Sequence, residues 1–155
     1  MSTRRDVSHE YLKNAVMTAS QEQLHLMLLD GAIRFATQGR AGLEAGDMEA
    51  MFNGLDRAQK IVLELSSGLR RDVNPPLANR MAALYDFIFR RLVDANMKRD
   101  VPAVDDALRI LRHQRETWVL LMDKLQTGRL TSKPTLRHSP DTPADSDTGG
   151  FVAEG

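Results

Sequence analysis

Glu22 and His25 come nearest to catalytic chemistry, because their Glu-x-x-His spacing suits metal binding on a helix. In di-iron carboxylate bundles, such a pair from each of two helices joins two further glutamates. The chain has no second Glu-x-x-His pair. At about 100° per residue, Glu22 also lies about 160° from the mean direction of the helix's apolar stripe, formed by Leu24, Leu28 and Phe35. We therefore expect His25 to be a surface or boundary residue.

The composition excludes most other kinds of site. Without cysteine, the chain has no disulfide, iron–sulfur cluster, thiolate zinc site or cysteine nucleophile. The sequence also lacks a phosphate-binding glycine-rich loop, a Gly-x-Ser-x-Gly motif and a His-x-x-x-His pair. Its 21 basic and 21 acidic residues provide no cationic surplus for binding phosphates. We therefore predict a protein that is not an enzyme, needs no cofactor and binds no nucleic acid.

Targeting signals are also missing from the sequence. The N-terminal residues lack the apolar run of a signal peptide, and no stretch approaches the ~20 consecutive apolar residues of a membrane span. The lack of cysteine is typical of a reducing compartment. These features predict a cytoplasmic protein without membrane insertion.

The elements that position these residues have a helical period, since apolar residues recur every three or four positions. The first helix begins after Ser20, which can form a capping box with Gln23, and ends at about Gly46. The second follows Asp47 as its N-cap and ends near Gly68. Both begin and end with residues that satisfy free backbone groups.

The third helix begins at Asn74, before two prolines, and continues to about Lys98. The fourth begins at Asp100 or Val101 and closes before Gly128. Short connections between helices of similar length predict an all-α fold, an antiparallel up-down four-helix bundle.

The bundle is expected to span residues 20–126, after an N-terminal arm at residues 1–19. Residues 127–155 are rich in Ser, Thr, Pro, Gly and Asp. Such a composition cannot bury enough apolar area to offset the entropy of ordering, so it predicts a disordered C-terminal tail.

The first helix is apolar on two sides. Opposite its expected core stripe, Leu26, Leu29 and Ile33 lie within about 60° of one another. The third helix has a weaker second face that includes Phe89 and Val93. An uncovered apolar patch of this kind marks partner sites. The arm, a second copy of the bundle or a partner's amphipathic helix could cover it, or the stripe belongs to the core and the assigned core face is wrong.

Gly31 and the pair Arg90-Arg91 each have two interpretations. An interior glycine costs up to ~1 kcal/mol relative to alanine, which favours a close approach by another helix over one by a partner's backbone. The arginines could bind phosphate. A solvated Arg90 and an Arg91 whose stem lies beside the core form the simpler interpretation.

Six short motifs occur in order between about residues 11 and 125. They begin at Tyr11 (Tyr-x4-Val-x-Thr-Ala), Leu24 (Leu-x-x-Met-Leu-Leu-Asp-Gly-Ala), Ala58 (Ala-Gln-x-Ile), Leu84 (Leu-Tyr-Asp-Phe), Arg90 (Arg-Arg-Leu-Val-Asp-Ala-Asn) and Arg115 (Arg-x-x-Trp). Their order and spacing resemble those of the flagellin-specific export chaperones, the FliS family. The departures are Gln21 for a common Pro, and Leu29, Phe87 and Phe89 for Tyr.

The resemblance implies a four-helix bundle that holds the disordered C-terminal region of new flagellin as helices in its grooves. Such a chaperone prevents premature polymerisation and delivers flagellin to a component of the flagellar export gate. In the family, an N-terminal segment lies over part of the groove when cargo is absent. The residues that match this segment are Tyr11 and Val16. Together with residues from the second apolar faces of the first and third helices, they give the expected partner-binding set: Tyr11, Val16, Leu26, Leu29, Ile33, Phe89 and Val93.

Two other functions stay open at this point. One is a ferritin-like metal enzyme, which metal analysis of the purified protein would reveal. The other is a structural bundle that dimerises through its second apolar face, which mass measurement with and without flagellin would separate from a chaperone. Self-association without cargo and binding of a co-chaperone or assembly factor are further partner hypotheses.

Overall fold

The fold is seen in a computed structural model that describes the backbone of residues 2–138 and the side chains of residues 7–128. This part of the chain contains five helices and no strand: α1 (Ser2–Thr18), α2 (Gln21–Ala45), α3 (Met48–Ser67), α4 (Pro75–Lys98) and α5 (Val101–His138). The chain divides into two compact units, residues 1–118 and residues 119–155. The described part of the second unit, 119–138, is helical. The four predicted helices correspond to α2, α3, α4 and the start of α5.

The capping residues act as the sequence predicts. The Ser20 hydroxyl accepts from the Gln23 backbone N–H at 3.1 Å, and the Gln23 side chain accepts from the Ser20 N–H at 3.0 Å. Gly46 ends α2 in the left-handed region at φ 75°, and Asp47 caps α3 by accepting from the Ala50 N–H. These groups satisfy backbone donors and acceptors that a helix end leaves free.

Helix α4 has a defined cap at each end, and a two-residue connection joins it to α5. Asn74 caps α4, whose first two residues are prolines. Arg99 then ends α4 with φ 55°, a left-handed conformation more often adopted by glycine. Two residues later, α5 begins at Val101.

Both termini of the described chain differ from the sequence prediction. The predicted arm forms α1, which lacks the apolar periodicity that would reveal a helix. The prediction that the last helix closes before Gly128 is wrong, because α5 continues to His138. An interior glycine costs a helix only about 1 kcal/mol, which does not end it. The remainder of the predicted tail, 139–155, lies outside the described residues.

Helices α2 and α3 pack antiparallel with very little space between their backbones. A Cβ atom on Gly42 would lie 2.5 Å from the Met51 backbone nitrogen, and one on Gly54 would lie 2.5 Å from the Gly39 backbone nitrogen. We call Gly39, Gly42 and Gly54 the glycine seam. Gly31 is less crowded, since its Cβ would lie 3.2 Å from the Cδ1 atom of Ile61. At Gly31, α3 therefore approaches through a flexible side chain and not through its backbone.

Charged pairs show that α2 also runs antiparallel to α5. Arg40, late in α2, pairs with Asp105, early in α5, and Asp30 pairs with Arg115 further along. Because two-residue connections join α2 to α3 and α4 to α5, the helices α2 to α5 alternate in direction. The sequence prediction of an up-down four-helix bundle is confirmed.

The core lies among these four helices and is built from large and small side chains. Leu29, Ala32 and Ala36 form the buried side of α2, together with Leu43. Opposite them, the bundle encloses the other large, fully buried side chains: Leu55, Val62, Tyr85, Ile88, Leu92, Val104 and Leu111. No helix among the described residues is long and apolar enough to cross a membrane.

Candidate partner-binding surface

The residues of α1 that the sequence assigns to partner binding are accessible. Tyr11 is 76% exposed and Val16 is 41% exposed. None of the α1 side chains described, those of residues 7–18, is buried. In this conformation the arm therefore does not bury its apolar side chains over a groove.

On α2, the structure corrects the assignment of Leu29. This side chain is 0% exposed and belongs to the hydrophobic core, so the prediction that it faces outward is wrong. The bulky residues of the expected core stripe do not mark the core side of α2; Ala32 and Ala36 do, because they allow α3 to approach. Leu26 and Ile33 lie at the border of this side and are half-buried.

The two predicted residues of α4 also lie at the edge of the core. Phe89 and Val93 are half-buried, and Phe89 packs against the buried cluster. Ile33 packs against the same cluster from α2. The structure thus brings Ile33 and Phe89 to a common core, whereas Tyr11 and Val16 remain exposed on α1. The partner-binding role of these residues stays a prediction.

Two exposed apolar side chains on α3 are absent from the partner-binding residues that the sequence predicts. Phe52 is 54% exposed and Leu63 is 52% exposed. Eleven positions apart, they lie on nearly the same side of a helix with 3.6 residues per turn. Phe52 lies next to the buried Met51 and resembles a core residue, so apolar spacing alone does not reveal this pair. Side chains of this size provide apolar area for a partner.

The Glu22 and His25 pair contributes to packing. The indole N–H of Trp118 donates to the backbone carbonyl of Glu22 at 3.0 Å, and the His25 and Trp118 rings lie 4.3 Å apart. Burial lowers the pKa of His25. Among the described residues, no three His, Asp or Glu side chains form a group that could hold a metal ion. The pair therefore attaches the start of α2 to α5.

Arg90 and Arg91 have carboxylate partners within the chain. Arg91 is half-buried and pairs with Asp94 at 3.2 Å on α4 and with Asp106 at 3.1 Å on α5. Arg90 pairs with Asp86 at 2.8 Å on the surface of α4. Hydrogen bonds from Arg109 and then Arg91 lower the pKa of Asp106. Arg91 therefore connects α4 to α5, as its position beside the core predicts.

The family model and the individual relatives that match this chain point to the same family. The family model described as flagellar protein FliS matches residues 4–125. A flagellar secretion chaperone FliS of Bacillus subtilis is 35% identical over 108 residues, which cover 70% of this chain and 80% of the relative. Its counterpart in Salmonella typhimurium is 34% identical over 114 residues, covering 73% and 84%. That of Escherichia coli is 30% identical over 108 residues, covering 69% and 79%.

Proposed function

This chain belongs to the FliS family of flagellar secretion chaperones, which are not enzymes, and we propose that flagellin is its cargo. The chaperone would act in the cytoplasm and hold the disordered C-terminal region of flagellin before export. Bound in this way, flagellin cannot polymerise prematurely and can be delivered to the export apparatus. A component of the export gate and a co-chaperone or assembly factor are the further partners of this proposal.

The observation that best supports the proposal is apolar surface at the margins of a closed core. Large side chains are accessible on α1 and on α3, including Tyr11, Val16, Phe52 and Leu63. Half-buried ones, such as Ile33 and Phe89, pack against the core and stay partly accessible. An amphipathic helix of the cargo can place its apolar side on such a surface. The bundle itself needs no rearrangement of its core for this contact.

The energetics of this binding mode suit a chaperone that must release its cargo. A disordered segment loses conformational entropy when it folds on the bundle, and this loss offsets much of the gain from apolar burial. A large contact area then gives moderate affinity, and cargo can leave at the export apparatus without nucleotide hydrolysis.

Calorimetric titration of the full chain with the C-terminal region of flagellin from the same organism tests the proposal. We expect saturable binding at one cargo per chain, with a negative heat-capacity change because apolar surface is buried. Replacing both Phe52 and Leu63 with Ser should weaken binding while the protein stays folded, since both side chains are exposed. Absence of binding by the wild-type protein would contradict the proposal.

Leu29→Ala is the matched control for the core. Its buried side chain should contribute mainly to folding, so the variant should lose about 2–5 kcal/mol of stability and retain its affinity per folded molecule. Mass measurement without cargo tests the alternative of a structural bundle. A stable dimer that does not dissociate when flagellin is added would favour that alternative.

A further inference from the structure

Between α2 and α3 lies a small groove whose lining includes Arg57 and the ring of Phe35, and Arg34 approaches the same ring. The Arg34 guanidinium carbon lies 4.9 Å from the centre of the Phe35 ring, and that of Arg57 lies 5.3 Å from it. The groove has a volume of about 250 Å³. Its lining consists of Phe35, Gln38, Ala50, Asn53, Gly54 and Arg57.

The bottom of the groove is rigid because it is formed by closely packed backbone. A Cβ atom on Gly54 would lie 2.6 Å from the carbonyl oxygen of Phe35 and 2.5 Å from the backbone nitrogen of Gly39. Neither helix can move closer, and no side chain at Gly54 fills the space. The shape of the groove is therefore set by the glycine seam.

Arg34 and Arg57 are among the six of twelve arginines with described side chains that lack an ion pair. Arg34 and Arg57 are exposed and form no ion pair with any residue that the structure describes. By contrast, carboxylates lie within ion-pair distance of six other arginines: Arg40, Arg70, Arg90, Arg91, Arg109 and Arg115. Contact with Phe35 does not use carboxylate oxygens, so N–H donors of both guanidinium groups remain available for a carboxylate.

We propose that this groove binds a carboxylate side chain of the flagellin cargo, an inference that rests on the proposed function. A guanidinium group binds a carboxylate through two parallel N–H donors, which makes the contact strong and directional. The amides of Gln38 and Asn53 line the same groove and can hydrogen-bond to polar side chains of the cargo. Pockets for small molecules usually have about 300–1,000 Å³, so the groove is suited to one side chain of a peptide.

A charged contact can fix the register of a bound helix, which apolar surface alone does not. An apolar surface accepts a helix in several registers, because neighbouring turns present similar side chains. A carboxylate that pairs with Arg57 in the groove is favoured in one register, since shifting the helix by a turn removes the charge from the groove. The groove would therefore fix the position of the cargo helix.

The test is calorimetric titration of the full chain with the flagellin C-terminal region at low and high salt. Replacing Arg34 and Arg57 with Gln should weaken binding about tenfold at low salt and reduce its salt dependence. The control variant, with Arg71→Gln and Arg80→Gln, has the same net charge as the groove variant, but its substitutions lie outside the groove. It should bind within about twofold of the wild type.

A second measurement leaves this chain unchanged. Each acidic residue of the cargo region is neutralised in turn, and one substitution should weaken binding to the wild type but not to the Arg34 and Arg57 variant, as in a double-mutant cycle. If wild type binds cargo and the groove variant binds it equally well, the carboxylate site is wrong while the chaperone function stands. If wild type does not bind flagellin, the proposed function itself fails.

Discussion

The imidazole of His25 packs against the indole of Trp118 in a tilted arrangement, with ring centres 4.3 Å apart and the ring planes 47° from parallel. The same indole donates a hydrogen bond to the backbone of Glu22. One aromatic side chain of α5 thus contacts the first turns of α2 in two ways. Because this contact buries His25, its charge state is coupled to the stability of the bundle.

Stability should decrease below neutral pH because of His25. Burial holds its pKa in the folded protein below the usual value of 6.5. The unfolded chain therefore binds the proton first, and stability that is present above about pH 6.5 is lost as the pH falls. Melting temperatures between pH 7.5 and 5 should show a steeper decrease for the wild type than for His25→Gln. Equal slopes in the two proteins would contradict this coupling.

Substitutions in the glycine seam should destabilise the bundle strongly. In Gly54→Ala the new Cβ would meet backbone atoms of α2 at 2.5–2.7 Å, which side-chain movement cannot relieve. We expect a loss of at least about 3 kcal/mol in urea denaturation, at the upper end of overpacking effects. The comparison is Gly31→Ala, whose Cβ meets only the flexible end of Ile61 at 3.2 Å. A similar loss in both variants would contradict the backbone contact as its cause.

Two helix ends in the described part of the chain have left-handed backbone, and substitutions there should change the free energy of unfolding in opposite directions. Arg99 has φ 55°, whereas Gly46 has φ 75° and open space within 4 Å of the point where a Cβ would lie. Left-handed backbone costs a residue with a Cβ about 1 kcal/mol relative to glycine. Arg99→Gly should therefore raise the free energy of unfolding by about 0.5–1 kcal/mol, and Gly46→Ala should lower it by about 1 kcal/mol. Two changes of the same sign in thermal or urea denaturation would show that another contact dominates.

Tyr85 is the core residue whose polar atom lacks a partner. Its hydroxyl is buried and forms no hydrogen bond with any described residue, and burial raises its pKa to about 12. Tyr85→Phe should therefore be neutral or stabilise the protein by about 1 kcal/mol in urea denaturation. A loss of more than about 1 kcal/mol would indicate a hydroxyl partner, such as a buried water.

The same hydroxyl should limit stability in alkali. The folded protein retains the Tyr85 proton up to about pH 12, whereas an unfolded tyrosine loses it near pH 10. Stability is therefore fully present below about pH 10 and decreases as the pH rises towards 12. Tyr85→Phe should reduce the decrease measured between pH 9 and 11. If the variant loses stability between pH 9 and 11 as steeply as the wild type, other titrating groups cause the loss.

The sequence predicted the helix boundaries better than it predicted the partner surface. Local rules were sufficient for Ser20, Asp47 and Asn74, because each cap bonds to backbone within three residues. The outward position of Leu29 was wrong because burial depends on which side α3 approaches. That side is set by glycines and alanines, which an argument from bulky side chains overlooks.

The groove around Phe35 could not be predicted for a related reason. Arg34 is next to Phe35 in the chain, but Arg57 lies on another helix and reaches the ring only when α2 and α3 pack at the glycine seam. Sequence spacing within one helix contains no information on such a contact. Composition does not predict the continuation of α5 to His138. It indicates how much apolar area a segment can bury, and a helix can extend without burying any.

The glycine seam also has a consequence for the order in which the chain folds. Its contacts join residues close in sequence, such as Gly42 with Met51 and Gly39 with Leu55. Contacts of short sequence separation form quickly, because little loop entropy is lost in closing them. The α2–α3 hairpin is complete at Ser67, before α4 and α5 leave the ribosome. We therefore expect it to be the folding nucleus, so that Gly54→Ala slows folding more than it speeds unfolding in stopped-flow measurements.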